Sequence, residues 1–432
     1  MSKLRVIPNT KHSLFRNDIS HCAIKVTLAL QEAGYSAFIV GGAVRDLLLG
    51  LKPKDFDVAT NAKPEEIRAI FHRSRIIGRR FRLVHVMCGS DTVEVSTFRG
   101  GSFVNKNNQS RKNENADEHG RILRDNVFGS QEEDVKRRDF TINALFYDPD
   151  KEEIWDYLCG YSDIQSKILR IIGEPVQRYR EDPIRILRAV RLSSKLDMQI
   201  DNVTAKPLGD LAPLLQNVPT SRLFDEILKI LLSGHAEACV KDLRARGLYH
   251  GLLPVLGMDS TESAGACFIS LVLKSTDERI KQNKSVSPSF LFASLLWHGV
   301  LLIWNNHMAE GKKTIPALHM AIKDMIGEQE KRLAIPRRYD SVMQEIWAMQ
   351  PRFFGRAGRR PFRLLEHPRF RAAYDFMLFR CESGEIDMEL GNWWKEFQHA
   401  KPLDRENMLF RNGAPRKRKN RSKYNRNASD KI

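Results

Sequence analysis

Two glycines followed by two aspartates constrain this chain more than any other feature. The stretch runs Phe38-Ile-Val-Gly-Gly-Ala-Val-Arg-Asp46, and Lys54-Asp-Phe-Asp-Val58 follows it. Residues 35–40 read as a strand entering a turn at Gly41-Gly42, and residues 43–49 as the helix leaving it. Residues 55–59 read as a second strand. Side chains alternate along a strand, so Asp55 and Asp57 are expected to project together while Phe56 and Val58 face a core. Two adjacent carboxylates repel one another, and a divalent cation relieves this. Mg2+, for which Mn2+ can substitute, takes one or two carboxylates plus waters and substrate phosphates. Without Cβ atoms, Gly41 and Gly42 let a phosphate approach the backbone. The following helix start offers N–H groups to the same anion. Arg45 is placed to reach a phosphate oxygen or to pair with Asp46. Gly-x-Gly-x-x-Gly and Gly-x-x-x-x-Gly-Lys-[Ser/Thr] are both missing from the sequence, so the turn is not a dinucleotide fingerprint and the kinase and P-loop readings lose support.

The elements around this motif suggest an α/β domain with a small sheet over residues 1–150. Residues 24–33 have helical spacing, and Pro64 suits the start of a helix reaching His72. Residues 81–88 and 92–98 alternate as strands of a hairpin across Gly89-Ser-Asp91. Residues 1–20 read as loosely ordered. The Asn-rich, charged segment 100–121 reads as a mobile loop, a lid or simple disorder. From about residue 160 the signals are helical, with helices expected over 182–195, 221–233, 236–246 and 289–304. Residues 331–380 are arginine-rich. Residues 411–426 carry eight Arg or Lys and no acid, a basic tail that cannot bury a core.

A formal charge of +17 over 432 residues points to a polyanionic partner, nucleic acid first. The six scattered cysteines include no Cys-x-x-Cys pair, which argues against a disulfide framework or a zinc site. No apolar run approaches the ~18–20 residues of a membrane span. The run over 291–302, interrupted by His298, reads as a buried helix. A cytoplasmic protein without membrane attachment is expected.

Two further carboxylates and a second motif complete the chemistry. Glu94 lies on the alternating run Val93-Glu-Val-Ser-Thr-Phe-Arg99, and Asp139 lies in Arg137-Arg-Asp-Phe-Thr-Ile-Asn143. Either is a candidate third acid, and Asp139 equally a helix cap. In Glu181-Asp-Pro-Ile-Arg-Ile-Leu-Arg-Ala-Val-Arg191, Pro183 suits a helix start with Asp182 as its N-cap. Arg185, Arg188 and Arg191 recur at every third residue, drifting ~60° around the helix per step. Such a series suits a triphosphate or base edge, or is a solvated cationic stripe. Asp182 with Arg185 can present an acceptor and donors to a nucleobase edge.

In order and spacing, these four motifs resemble the class II nucleotidyltransferases, which include bacterial poly(A) polymerases and CCA-adding tRNA nucleotidyltransferases. The resemblance covers roughly residues 35–250. Ile76-Ile-Gly-Arg-Arg-Phe-Arg-Leu-Val-His-Val86, Asp125-Asn-Val-Phe-Gly129 with Glu132-Glu-Asp134, and the basic C-terminus resemble the poly(A) polymerase branch. The family implies an α/β head with a small mixed sheet, followed by mostly α-helical neck (151–215), body (216–330) and arginine-rich RNA-binding (331–400) regions, with a basic tail over 401–432. It implies Asp55 and Asp57 as metal ligands and Asp139 as a further catalytic carboxylate. Gly41, Gly42, Arg45 and Arg138 are then expected to hold the triphosphate of ATP. Asp182 and Arg185 are expected to read adenine, braced by Arg188 and Arg191. The expected reaction adds AMP from ATP to RNA 3′-OH ends, releasing pyrophosphate. In the tail, Arg416, Lys417, Arg418, Lys419, Arg421 and Lys423 are expected to contact RNA, and Phe353, Phe354, Trp393 and Trp394 to stack bases or fill a core. A monomer is expected, with RNA-decay or RNA-chaperone proteins as partners. The rival readings are a CCA-adding enzyme and a non-catalytic RNA-binding scaffold.

Overall fold

Eight short strands in the N-terminal half build the surface on which the motifs meet. In chain order they are β1 (Arg5–Ile7), β2 (Ala37–Val40), β3 (Asp57–Thr60), β4 (Ser74–Ile77), β5 (Leu83–Cys88), β6 (Asp91–Thr97), β7 (Leu145–Asp148) and β8 (Glu153–Asp156). They form one sheet ordered β1-β8-β7-β2-β3-β6-β5-β4. Among the described residues of this sheet only β3 and β6 run parallel, with Asp57 opposite Glu94. The structure is a computed structural model that describes residues 4–78, 82–89, 91–100, 127–248, 264–333 and 335–410. The 101–121 part of the Asn-rich segment, Arg79-Arg80-Phe81 and the 411–432 tail, with Arg416 to Lys423, lie outside them.

Strand β2 is buried along its whole length, because helices cover both faces of the central sheet. Helix α1 (His21–Glu32) buries Cys22, Ala23, Val26, Thr27 and Leu30, a helical stripe, and packs on β2, β3 and β6. A second apolar cluster joins Phe38, Val40, Ala59, Phe98, Phe146 and Val135. Each large side chain buried there contributes about 1.5–3 kcal/mol of transfer free energy. The motif helices are α2 (Gly42–Leu48), α3 (Pro64–Ile70) and α4 (Gln131–Arg137). Beyond the sheet come α5 (Gly160–Gln165), α6 (Pro175–Glu181), α7 (Ile184–Leu196), α8 (Asn202–Ala205), α9 (Thr220–Leu231) and α10 (Ala236–Ala245). Helix α7 packs on α9 and α10.

Several expectations are corrected by these elements. Residues 4–19 are not loose: β1 pairs with β8, Leu14 and Ile19 are buried, and the His12 ring contacts the Glu152 carbonyl at 3.1 Å. The sheet continues to Asp156, so a boundary at 150 falls in the turn between β7 and β8. Asp55 precedes β3 rather than lying on it, so strand alternation does not set the relation between Asp55 and Asp57. Asp182 ends α6, and Pro183 caps α7. Cys22 on α1 and Cys88 at the end of β5 form a disulfide, although the scatter of the cysteines argued against a disulfide framework.

The chain divides into two compact units, Met1–Gly257 and Met258–Ile432. The second is helical: α11 (Ala264–Lys281), α12 (Pro288–Ala309), α13 (Thr314–Arg332), α14 (Asp340–Met349), α15 (Arg360–Leu365), α16 (Phe370–Glu382), α17 (Met388–His399) and α18 (Pro402–Asn407). Contrary to expectation, α12 is long and apolar enough to cross a membrane, by length and composition alone. Its side chains Leu291 to Trp297 are buried within the unit, where it packs on α13 and α14. Phe353, Trp393 and Trp394 are core residues. Phe354 is 54% exposed.

Candidate active site

The turn between β2 and α2 requires a glycine. Gly41 has φ 73° and ψ −130°, a backbone conformation that a side chain strains by ~1–3 kcal/mol. A Cβ at this position would lie 3.5 Å from Arg138 Nη1, so the bare backbone and the guanidinium face one another. Arg138 is anchored by Asp134, which accepts from Nε at 3.1 Å and Nη2 at 2.9 Å. Its Nη1 donates to the Asn143 carbonyl at 3.3 Å. Arg45 is buried and committed, donating Nη1 to Asn143 Oδ1 at 2.6 Å and Nε to Asp46 Oδ1 at 2.8 Å.

Asp57 heads β3 with one side open to solvent. Its pKa is pushed up to about 6, by desolvation first, then by Glu94 and more weakly by Asp55, with Arg138 opposing. Neither Asp55 nor Asp57 forms an ion pair among the described residues. Glu94 Oε2 lies 3.7 Å from His85 Nε2. This surplus of hard oxygen donors fits a divalent cation. No three His, Cys, Asp or Glu side chains form a metal cluster among the described residues. Two carboxylates with substrate phosphates filling the remaining positions is the arrangement Mg2+ favours.

Asp139 has a different environment. Its Oδ2 accepts from Arg188 Nε at 2.8 Å and from Nη2, and its Oδ1 accepts from the Phe140 amide at 2.8 Å and Asn143 Nδ2 at 3.0 Å. Burial resists its ionisation, but Arg188, Asn143 and the Phe140 amide overcome this and hold its pKa well below the usual range. The pair is partly buried, so removing one member leaves the other without its main charge partner. The family resemblance gives Asp139 a catalytic role; here it anchors Arg188 and Asn143. Asn143 joins Arg45, Arg138 and Asp139, a connection that sequence reasoning missed. Gly160 on α5 lets this segment pack closely, since a Cβ there would lie 2.2 Å from the Thr141 carbonyl.

The three arginines of α7 are neither a free triphosphate clamp nor a solvated stripe. Arg188 holds Asp139, and Arg191 Nε donates to the buried Glu226 Oε1 on α9 at 2.6 Å. Arg185 Nη1 donates to the Arg178 carbonyl at 2.7 Å and to Glu181 Oε2 at 3.3 Å. Arg178 in turn donates to the carbonyls of Arg137 and Arg138, tying α6 to the end of α4. Arg137 beside them has its pKa lowered to about 10, by burial first and then by Arg99, Arg178 and Arg185. Asp182 accepts from Arg222 Nη2 at 2.8 Å through Oδ2. Its Oδ1 is buried with no hydrogen-bond partner. Arg178, Arg222 and Glu226 were not singled out from sequence. Their signal is three-dimensional, because each completes a partner on another helix.

Comparison with known proteins follows the same division of the chain. Residues 37–170 match the poly A polymerase head domain, 197–258 the probable RNA and SrmB-binding site of polymerase A, and 310–428 the polymerase A arginine-rich C-terminus. The chain is 43% identical to poly(A) polymerase I of Salmonella typhi, covering 97% of this chain and 91% of that one. It is 44% identical to the same enzyme from Escherichia coli O157:H7, over 94% and 88%. A CCA-adding enzyme of Limosilactobacillus reuteri is 38% identical over 51% of each chain. Among solved structures, the Bacillus stearothermophilus CCA-adding enzyme in complex with CTP is similar at TM-score 0.56 and 26% identity, over 87% of this chain and 80% of that one. A tRNA-processing enzyme in an apo form shares the fold at TM-score 0.62 and 20% identity, over 92% and 99%.

Proposed function

The chain belongs to the poly(A) polymerase I family, and from this premise we infer that it is a template-independent polynucleotide adenylyltransferase, adding AMP from ATP to RNA 3′-OH ends. The observation that carries the catalytic assignment is the carboxylate of Asp57, which forms no ion pair among the described residues, faces Glu94 across the β3–β6 pair and feels the charges of Asp55 and Arg138. We propose that Asp55 and Asp57 hold Mg2+, or Mn2+, and that Glu94 rather than Asp139 is the third acid. When bound, the cation supplies charge neutralisation to the triphosphate and acidity to the attacking hydroxyl.

The chain's own residues do the rest. The bare backbone at Gly41 and the facing Arg138 receive phosphate oxygens. Arg45 and Asn143 keep that turn rigid from below. Asp139 and Arg188 fix α7 against the segment bearing Arg138, so phosphate and base sites keep their separation. Asp182 Oδ1 accepts a hydrogen bond from the exocyclic amine of adenine, and Arg222 holds the carboxylate in place. Arg185 defines the adjoining wall. No nucleic-acid template is required, because these side chains replace a templating base. The coverage of poly(A) polymerase relatives through the arginine-rich region, against half the chain for the CCA-adding enzyme, favours adenylate tails over CCA addition.

The test incubates the chain and Asp182→Ala with an unstructured RNA and each nucleoside triphosphate singly. The unaltered chain is expected to build long tails from ATP alone. Loss of a hydrogen bond to a charged group costs about 1.5–3 kcal/mol, so Asp182→Ala should lower kcat/KM for ATP by roughly 10- to 150-fold. Addition of CCA confined to tRNA-like acceptors would replace the tail-synthesis reading, and no incorporation would leave the scaffold.

A further inference from the structure

The second unit contains a cavity of about 350 Å³, a volume at the small end of ligand sites. Ile315, Pro351 and Leu364 give it apolar walls, and Arg352, Arg360 and Arg363 surround them. Gly355 also borders it; a Cβ there would press to 3.3 Å from the Arg352 carbonyl. Residues 351–363 contain five arginines and no acid. Four of them, Arg352, Arg359, Arg360 and Arg363, are exposed and form no ion pair among the described residues. The fifth, Arg356, shows what a structural arginine looks like here. It pairs with Glu389 and lies 4.2 Å from the centroid of the Phe410 ring. Elsewhere in the unit Arg369 pairs with Glu345 and Arg371 with Asp375. Three of the four, Arg352, Arg360 and Arg363, line the cavity itself, and the exposed Phe354 ring belongs to the same segment (Gln350–Phe354) as its wall.

We propose that this cavity is a binding site for one nucleotide of a single-stranded RNA, its base against Ile315, Pro351 and Leu364 and its flanking phosphates on Arg352, Arg360 and Arg363. Arginine forks match phosphate oxygens, and a base presents a flat apolar face to aliphatic and aromatic walls. An acidic peptide would satisfy the arginines but leave the apolar walls without a flat partner. The inference rests on the reading that RNA is the substrate, since it makes the cavity a second hold on the strand being extended. Contacts of this kind tolerate any sequence, which suits an enzyme that meets varied 3′ ends.

The test measures binding of a labelled 20-nucleotide oligoadenylate to the full chain by fluorescence anisotropy at several salt concentrations. The triple variant Arg352→Ala/Arg360→Ala/Arg363→Ala should bind about tenfold or more weakly, with the slope of log affinity against log salt smaller by about 2, near 0.7 per lost phosphate contact on a single strand. If the triple variant does not fold, the single exposed changes Arg352→Ala and Arg363→Ala should each lower affinity several-fold. A strand carrying 4-thiouridine at an interior position should cross-link to peptides containing Ile315, Pro351 or Leu364. Unchanged affinity and slope in the folded variants overturns the proposal. So does polyglutamate, or free ATP, competing for these arginines as well as the strand does. The unaltered chain is assayed for ATP incorporation in parallel. If tails form while binding ignores the variants, the cavity assignment alone fails. If binding follows the variants while no tail forms, the reaction assigned to the first unit fails instead.

Discussion

Asp57 and Asp139 are both carboxylates near arginine, and their surroundings drive them in opposite directions. Asp139 meets Arg188 directly and is locked ionised. Asp57 has Arg138 only at a distance and faces Glu94 across a parallel strand pair, so its pKa rises to about 6. The first suits a structural anchor and the second a site awaiting a cation. A pKa raised from the ordinary 3.8 means that the folded state holds its proton more tightly than the unfolded chain. Stability from this group is therefore present at low pH and lost as pH rises from about 4 through 6. In metal-free protein, Asp57→Asn should melt at or above the unaltered chain at pH 7.5, and the difference should close toward pH 4. A clearly lower melting temperature at pH 7.5 would show that Asp57 is paired instead. The sequence identified the pair of aspartates. It could not rank Glu94 against Asp139, because Glu94 becomes a neighbour of Asp57 only through the β3–β6 pairing, between strands more than 30 residues apart.

At the scale of elements, legibility tracks how local the signal is. Strands β2, β5 and β6 and helices α2, α7, α9, α10 and α12 carry their period or punctuation in their own residues. Strands β1, β4, β7 and β8 are three or four residues long, too short for a period, and exist because a neighbour completes their hydrogen bonds. The register of β1 against β8 joins residues about 150 apart, beyond any window of pattern reading. Asp182 and Pro183 were read as cap and first helical residue; the turn from α6 places them one position earlier. The same non-locality hid the Cys22–Cys88 disulfide, which joins α1 to the hairpin carrying Glu94. Closing that 66-residue separation should contribute about 2–4 kcal/mol. Cys22→Ala or reduction should therefore lower the melting temperature of the first unit by on the order of 10 °C, checked by calorimetry with and without dithiothreitol. An unchanged melting temperature, with no linked peptide in a non-reducing digest, would remove the cross-link from the description.

At the scale of the whole molecule, the proposed function divides the work of a polymerase acting on a polyanion between the two units. The first assembles carboxylates, a bare glycine turn and a web of arginine contacts that ties α6 and α7 to the segment bearing Arg138 and Asp139. The second is an aromatic-rich helical body in which Arg352, Arg360 and Arg363, exposed and without an ion pair among the described residues, line one cavity. The charge of +17 announced the polyanion without locating its contacts, since most arginines around the motifs are spent on internal pairs such as Arg188–Asp139 and Arg191–Glu226. The proposed reaction rests on Asp57. The deciding measurement is AMP incorporation from ATP into a short RNA 3′ end by the unaltered chain and by Asp57→Asn at pH 7.5 with Mg2+. Loss of a group worth several kcal/mol to the transition state predicts a fall in kcat of at least about a hundredfold, with the fold intact by melting. Tail synthesis by Asp57→Asn at near the original rate would contradict the assignment of the reaction to this carboxylate.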